Sequence, residues 1–155
     1  MALVRPEWQP RADDDWRCVA DLEAAVEALP LQPASVFLAI GRQHLQPFAA
    51  KPQHRYVLRF IDEPQGALPL PTAEVIIARG PFNESDDLAL MRSRSVTWLV
   101  TRNSGADGAR AKVDAARTLG VPVIMISRPA MLEYEWVANV DAVMAWLHHE
   151  CRRGA

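Results

Sequence analysis

The stretch of sequence best suited to chemistry is 101–108, which reads TRNSGADG. Its serine and two glycines allow backbone N–H groups to approach a ligand, and a helix starting just after it would add the positive end of its dipole. Arg102, Arg110 and Lys112 add formal charge nearby. Turns after buried strands also use glycine and serine for conformation alone, but helix capping does not require two arginines together. The stretch therefore predicts a site for a phosphate or a carboxylate.

Two other turns combine glycine with arginine: 41–44, which reads GRQH, and 79–82, which reads RGPF. In each of them the glycine, taken alone, is typical of a backbone turn rather than of a ligand contact. The arginine of each turn is equally compatible with a ligand contact and with a solvated or structural ion pair. These two turns are weaker candidates than 101–108.

Several motifs of known chemistry are missing from the sequence. It contains neither GxGxxG after a strand nor GxxxxGK[ST], so no self-contained nucleotide-binding fingerprint is present, and no GxSxG elbow occurs. His148 and His149 are adjacent on a predicted helix, where side chains do not converge, so we predict a solvated tail there. His44 and His54 have no third ligand at useful spacing. We predict no metal site and find no complete catalytic set.

The composition is typical of one globular domain that spans 1–155. Half of the residues are apolar and 23% are charged, with 17 basic and 19 acidic side chains, a net charge of -2 and a pI near 6.1. This balance disfavours nucleic acid and anionic membranes as partners. No apolar run approaches the roughly 20 residues of a membrane helix. Cys18 and Cys151 match no metal or redox spacing, so we expect a reduced, cytoplasmic location.

The elements that would position these turns alternate along the chain. Apolar runs predict strands at 36–40, 56–61, 74–79, 96–101 and 121–126. Helices are predicted at 22–29, from 42 towards 50, from a cap at Asn83 or Ser85 to about 94, from about 109 to Gly120, and at 139–148. The first sixteen residues are interpreted as an extended lead-in. The predicted fold class is α/β, a three-layer Rossmann-like domain with a mostly parallel five-stranded sheet. The three turns would then lie at the carboxyl edge of the sheet, where ligands bind in such folds.

Five pieces of sequence, each modest alone, occur in a specific order. They are GRQHL with a following phenylalanine (41–48), RFID (59–62), LPTAE through RGPF (70–82), LVTRNSG with a following lysine (99–112), and GVPVIM through RP (120–129). In this order they resemble the C-terminal half of the precorrin-6A reductases. The resemblance covers about 4–147.

The resemblance implies NADPH-dependent reduction of the macrocycle of precorrin-6A to precorrin-6B, a step of cobalamin biosynthesis. A similar branch of the family acts on the cobalt-containing substrate. Members of the family are longer, and their N-terminal half opens with a strand and a glycine-rich loop that holds the dinucleotide phosphates. That half would be the partner of this chain, which we therefore expect to have little or no reductase activity when isolated.

The resemblance also suggests roles for the residues of the three turns. The expected contacts to NADPH are Thr101, Arg102, Asn103, Ser104 and Gly105, and those to precorrin-6A are Gly41, Arg42, Arg79 and Gly80. Arg42, expected near the macrocycle, is the candidate catalytic residue, and arginine forks suit the carboxylates of such a substrate. The sequence departs from the family pattern at Ile40, usually Thr, at Arg102, commonly Lys, and at Ala106, commonly Gly. Arg102 keeps the charge but changes its reach.

Two other functions are compatible with the residues. One is a non-catalytic module that holds a tetrapyrrole or a nucleotide for a partner, which the missing glycine fingerprint fits equally well. The other is an unrelated sugar-phosphate or nucleotide-phosphate enzyme of the same fold, because fold alone does not determine function.

Overall fold

A computed structural model describes residues 5–128 of the chain. The strands are β1 (Trp16–Val19), β2 (Ser35–Ala39), β3 (Arg55–Phe60), β4 (Ala73–Ile77), β5 (Trp98–Arg102) and β6 (Val123–Ile126). The helices are α1 (Leu22–Ala28), α2 (Glu84–Ser93) and α3 (Ala111–Leu119), with short 3-10 turns at Arg42–His44, Gln46–Ala50 and Asp107–Ala109. The predicted helix at 139–148 lies outside the described residues.

The six strands form one sheet in the order β1-β6-β5-β2-β3-β4, and every neighbouring pair is parallel. This confirms the α/β prediction, although the sheet has six strands rather than five. The additional strand is β1, which, among residues 5–128, lies at one edge and pairs with β6 alone. Its four residues, WRCV, include two exposed positions and no apolar run. An edge strand this short and polar leaves no strand signal in the sequence.

The sheet is covered on both faces, as predicted for three layers. Val36 and Leu38 of β2 pack into one apolar cluster with Ala25 and Val26 of α1. Phe37, which points to the opposite face because side chains alternate along a strand, packs into a second cluster that also contains Met91 of α2 and Val113 of α3. All three β2 residues are at most 1% exposed. The continuous apolar run of β2 thus reflects burial from both sides.

The helix ends follow their capping residues. Asp21 accepts a hydrogen bond from the Ala24 N–H at 2.8 Å, and Asn83, rather than Ser85, accepts one from the Asp86 N–H at 2.8 Å. Gly120 ends α3 with a φ of +70°. The predicted helix from 42 towards 50 is instead two 3-10 turns, because Pro47 lacks an N–H and disfavours helical geometry in the residue before it.

Two strands begin later than the sequence predicts, for a shared reason. Val96 and Val121 each follow a helix, and their N–H groups donate to Met91 O and Ala116 O, both at 2.9 Å. Each valine therefore completes the end of the preceding helix, although it belongs to the apolar run of the next strand. No helix within 5–128 is long and apolar enough to cross a membrane.

Candidate functional site

The carboxyl ends of β2 and β5 lie side by side in the middle of the sheet. From β2 the chain runs outward through β3 to β4, then crosses back over to β5, so the direction of winding reverses between β2 and β5. Ala39 at the end of β2 is paired with Thr101 of β5. Ligands of open parallel sheets bind at such a reversal, since the loops on either side diverge and leave a crevice. The predicted turns 41–44 and 101–108 flank this point.

Two of the predicted site residues, Thr101 and Arg102, lie at the end of β5 and differ in the groups that they can present to a ligand. Thr101 is 1% exposed, and its hydroxyl donates to Arg102 O at 3.3 Å. Arg102 is half-buried, and its Nε is shielded from solvent without an acceptor among residues 5–128. A buried N–H without an acceptor is unfavourable, so an additional acceptor at this Nε would stabilise the side chain.

The loop after β5, here residues 103–110 and called the β5 loop, is held mostly by contacts within the chain. The Asn103 side chain, 7% exposed, hydrogen-bonds the backbone of Trp8 through both Oδ1 and Nδ2. Gly105 has a φ of +68°. Ser104 is exposed, and its Oγ accepts from the Ala106 N–H at 3.3 Å. Of these three residues, Ser104 presents its side chain to solvent.

On the β2 side, Arg42 is exposed, and its Nη2 donates to Gln65 O in the crossover between β3 and β4. Gly41 has an ordinary extended backbone, with φ -68° and ψ 153°. A Cβ at Gly41 would meet only the end of the flexible Gln43 side chain. Glycine is therefore not required there by the conformation of the chain, in contrast to the interpretation of this residue as a turn device.

Arg79 and Gly80 follow β4, at the far edge of the sheet. Arg79 is 76% exposed and lies 3.5 Å from Asp62, itself 81% exposed, in the same crossover that Arg42 contacts. Around Gly80 the nearest neighbour of an added Cβ is the Phe82 ring at 3.5 Å, an ordinary contact. The crossover 61–72 thus brings Arg42 and Arg79 into one neighbourhood, whereas β2 and β3 lie between Arg79 and the β5 loop.

A buried charge cluster beneath these turns was not identified from the sequence. Arg59 of β3 forms an ion pair with Asp87 of α2 at 2.5 Å, and the two side chains are 12% and 1% exposed. The Arg59 guanidinium carbon lies 3.6 Å from the centroid of the Phe82 ring. Arg59 therefore anchors the turn that carries Arg79 and Gly80 by stacking on its last residue. The sequence signal is a charged residue inside the apolar run 56–61.

Lys112, in the first turn of α3, is only 8% exposed. Its Nζ donates to Ala109 O at 2.6 Å and lies 5.7 Å from the centroid of the Trp8 ring. Burial, and to a lesser extent the positive charge of Arg59, lowers the pKa of Lys112 to about 8, while Asp87 opposes this shift. The sequence places this lysine near the anion-binding stretch but does not indicate its burial. Among the described residues, no three His, Cys, Asp or Glu side chains come together as a metal site would require.

Comparisons with known proteins agree on one family. The model of the family described as "Precorrin-6x reductase CbiJ/CobK" matches residues 1–148. The chain is 53% identical over 146 residues to the precorrin-6A reductase of Rhodobacter capsulatus, covering 94% of this chain, and 44% identical over 154 residues to that of Rhodococcus erythropolis, covering 99%. A solved structure named CobK precorrin-6A reductase superimposes with a TM-score of 0.87 at 52% identity, over 95% of this chain.

The chain spans about three-fifths of the length of these relatives: 58% and 62% of the two reductases and 59% of the solved structure. A cobalt-precorrin-6A reductase from Priestia megaterium is 34% identical over 131 residues. The resemblance found in the ordered motifs is thus confirmed. This chain belongs to the precorrin-6x reductase family.

Proposed function

We propose that this chain is part of an NADPH-dependent oxidoreductase that reduces precorrin-6A to precorrin-6B in cobalamin biosynthesis. The observation that carries the proposal is the 53% identity to a precorrin-6A reductase over 94% of the chain. A cobalt-precorrin-6A reductase is less similar, at 34%, so the proposal names the substrate of the 53% relative. The predicted cytoplasmic location is part of the same proposal.

In this proposal the chain forms one wall of a crevice, and the opposite wall belongs to a preceding dinucleotide-binding half. Two observations support such a division. The sequence contains no glycine-rich phosphate fingerprint, and the chain accounts for only about three-fifths of its relatives. The reversal between β2 and β5 opens at the edge where a second domain would complete a binding site.

The β5 side of the crevice has groups that fit NADPH. The buried Nε of Arg102, which lacks an acceptor among residues 5–128, suits a phosphate oxygen or a carboxamide oxygen of the cofactor. Ser104, the residue before Gly105, adds an exposed hydroxyl. NADPH, when bound, supplies the hydride. The chain orients the cofactor and excludes water from it, through Thr101–Gly105 at this wall.

The β2 and β4 side has groups that fit a substrate with many carboxylates. Arg42 and Arg79 are exposed, and each can bind a carboxylate with two parallel N–H groups. Gly41 and Gly80 precede or follow these arginines directly, and neither glycine is required by backbone conformation. Arg42 is nearer the reversal between β2 and β5, so we assign it the contact closest to the reacting part of the macrocycle.

The proposal is tested by titrating NADPH into the chain alone, and into the chain mixed with or joined to the dinucleotide-binding half of the Rhodobacter capsulatus relative. We expect weak or no binding to the chain alone and saturable binding to the pair. An Arg102→Ala variant of the pair should bind NADPH at least tenfold more weakly, a loss of about 1.4 kcal/mol. NADPH affinity that is the same with and without the chain would contradict the proposal.

The competing function is a non-catalytic binding module. It is distinguished by adding precorrin-6A to the NADPH-bound pair and following absorbance at 340 nm. Stable binding of both ligands without oxidation of NADPH would favour the module over the reductase.

A further inference from the structure

A short segment that precedes β1, residues 5–8 and here called the lead-in segment, lies against the β5 loop. Its last residue, Trp8, is 6% exposed. The Trp8 N–H donates to Asn103 Oδ1 at 2.8 Å, and Asn103 Nδ2 donates back to Trp8 O at 3.0 Å. One side-chain amide thereby satisfies both backbone groups of a residue 95 positions away. Such reciprocal bonds fix direction and register as a strand partner would.

Arg128, two residues beyond β6, adds a second connection between the same two pieces of chain. Its Nε donates to Asn103 O at 2.9 Å, and its Nη1 donates to Arg5 O. The side chain thus joins the first residue of the β5 loop to the first residue of the lead-in segment. The Asn103 N–H is also engaged, with Ile126 O at 3.0 Å.

The lead-in segment lies so close to the β5 loop that position 105 of the loop must be a glycine. At Gly105 a Cβ would clash with the backbone carbonyl of Pro6 and would displace the end of the Arg128 side chain. The φ of +68° independently favours glycine. At the other end of the loop, the Lys112 ammonium contacts both Ala109 O and the Trp8 ring. The lead-in segment therefore contacts the beginning and the middle of the β5 loop, and Lys112 of α3 connects Trp8 to the end of the loop.

We propose that Asn103 and Arg128 are positioning residues that fasten the lead-in segment to the β5 loop, and so hold Ser104 and Gly105 in the shape that binds NADPH. The inference rests on the proposed function. It departs from the prediction that Asn103 contacts the cofactor, because the amide is engaged with Trp8. Its physical basis is preorganisation, because a loop that the chain has already ordered loses little conformational entropy when the ligand binds.

The test uses the two-domain protein with an Asn103→Ala substitution, and two measurements. Backbone amide exchange, followed by mass spectrometry without ligand, should become faster in both 5–8 and 104–109. The dissociation constant for NADPH should rise about tenfold, since the loop must then be ordered on binding. Arg128→Met should have the same two effects, which keeps the test valid if Asn103→Ala does not fold. The double variant should lose less affinity than the two single losses combined, because both residues act on one loop.

A matched control is His54→Ala. His54 is fully buried, and its Nδ1 accepts from the Ala34 N–H at 3.0 Å, at the amino ends of the strands. This variant should lose stability while its NADPH affinity stays within twofold of wild type.

Two results for Asn103→Ala and Arg128→Met would overturn the inference. One is amide exchange that is unchanged in the lead-in segment. The other is faster amide exchange together with an unchanged affinity for NADPH. If Asn103 had only a structural role, Asn103→Ala would lose stability and keep its affinity for NADPH, as His54→Ala is expected to do. Failure of the proposed function is a different result, in which the wild-type protein itself does not bind NADPH.

Discussion

Four basic side chains at the carboxyl edge of the sheet form two groups that differ in burial. Arg42 and Arg79 are exposed, and among residues 5–128 their polar contacts are a backbone carbonyl and an exposed carboxylate of the crossover 61–72. Arg59 and Lys112 are buried beneath the turns and contact Asp87, Phe82, Trp8 or backbone. The comparison teaches that, among these four, the exposed charges are held by weak, solvated contacts, whereas the buried charges support the turns above them. Arg102 is intermediate in burial.

The largest expected effect is on the buried group. Arg59→Ala should lower the free energy of unfolding by about 3–5 kcal/mol, because it leaves the Asp87 carboxylate buried without its cation. Urea denaturation of the chain measures this. The double variant Arg59→Met with Asp87→Leu should recover much of the loss, since it removes both charges. A loss under about 1 kcal/mol in Arg59→Ala would break the distinction between the two groups.

A second effect concerns the pH dependence of Lys112. Its pKa in the folded chain is about 8, below the ordinary value of 10.5, so the unfolded chain binds more protons between those two values. The free energy of unfolding should therefore rise with pH from 8 to 10.5, by at most about 1.4 kcal/mol per pH unit. Lys112→Met should lack this contribution. Denaturation of both proteins at pH 7, 8, 9 and 10 tests it, and parallel curves for the two would contradict it.

A third prediction addresses function at the exposed group. Arg42→Ala in the two-domain protein should lower kcat/KM for precorrin-6A at least tenfold, about 1.4 kcal/mol of transition-state stabilisation. Its free energy of unfolding should change by less than about 0.5 kcal/mol, since the side chain is exposed. Steady-state kinetics and urea denaturation of the same preparation separate an effect on catalysis from an effect on stability. Unchanged kinetics would remove Arg42 from the site.

The smallest effect is expected from the ion pair of Arg79 with Asp62. Both side chains are more than three-quarters exposed and the charges are 3.5 Å apart. Asp62→Ala should change stability by less than about 0.5 kcal/mol, because solvent screens such pairs. The measurement is again urea denaturation. A loss above about 1 kcal/mol would mean that the exposed group is structural after all.

Much of the fold could be predicted from the sequence because its signals are local. The apolar runs of β2, β3 and β6 and the caps Asn83 and Gly120 act within a few residues. The strand β1 is not predicted by the sequence, because it forms through pairing with β6 and has no apolar pattern of its own. The residues from 42 towards 50 predict a helix, but Pro47 limits them to 3-10 turns.

The candidate site also has features that the sequence predicts and features that it does not. The turns at 41–44 and 101–108 could be placed near each other, since parallel strands bring their carboxyl ends to one edge. The engagement of Asn103 with Trp8 and the burial of Arg59 and Lys112 could not be predicted, because they depend on residues far apart in sequence. No pattern distinguishes an arginine that faces solvent from one that stacks on Phe82.

The central claim is that this chain supplies one wall of a reductase crevice, and steady-state oxidation of NADPH in the presence of precorrin-6A tests it most directly. The account predicts turnover when the chain is joined to a dinucleotide-binding half, and little or none with either part alone. Turnover by the isolated chain at the rate of the joined protein would contradict it.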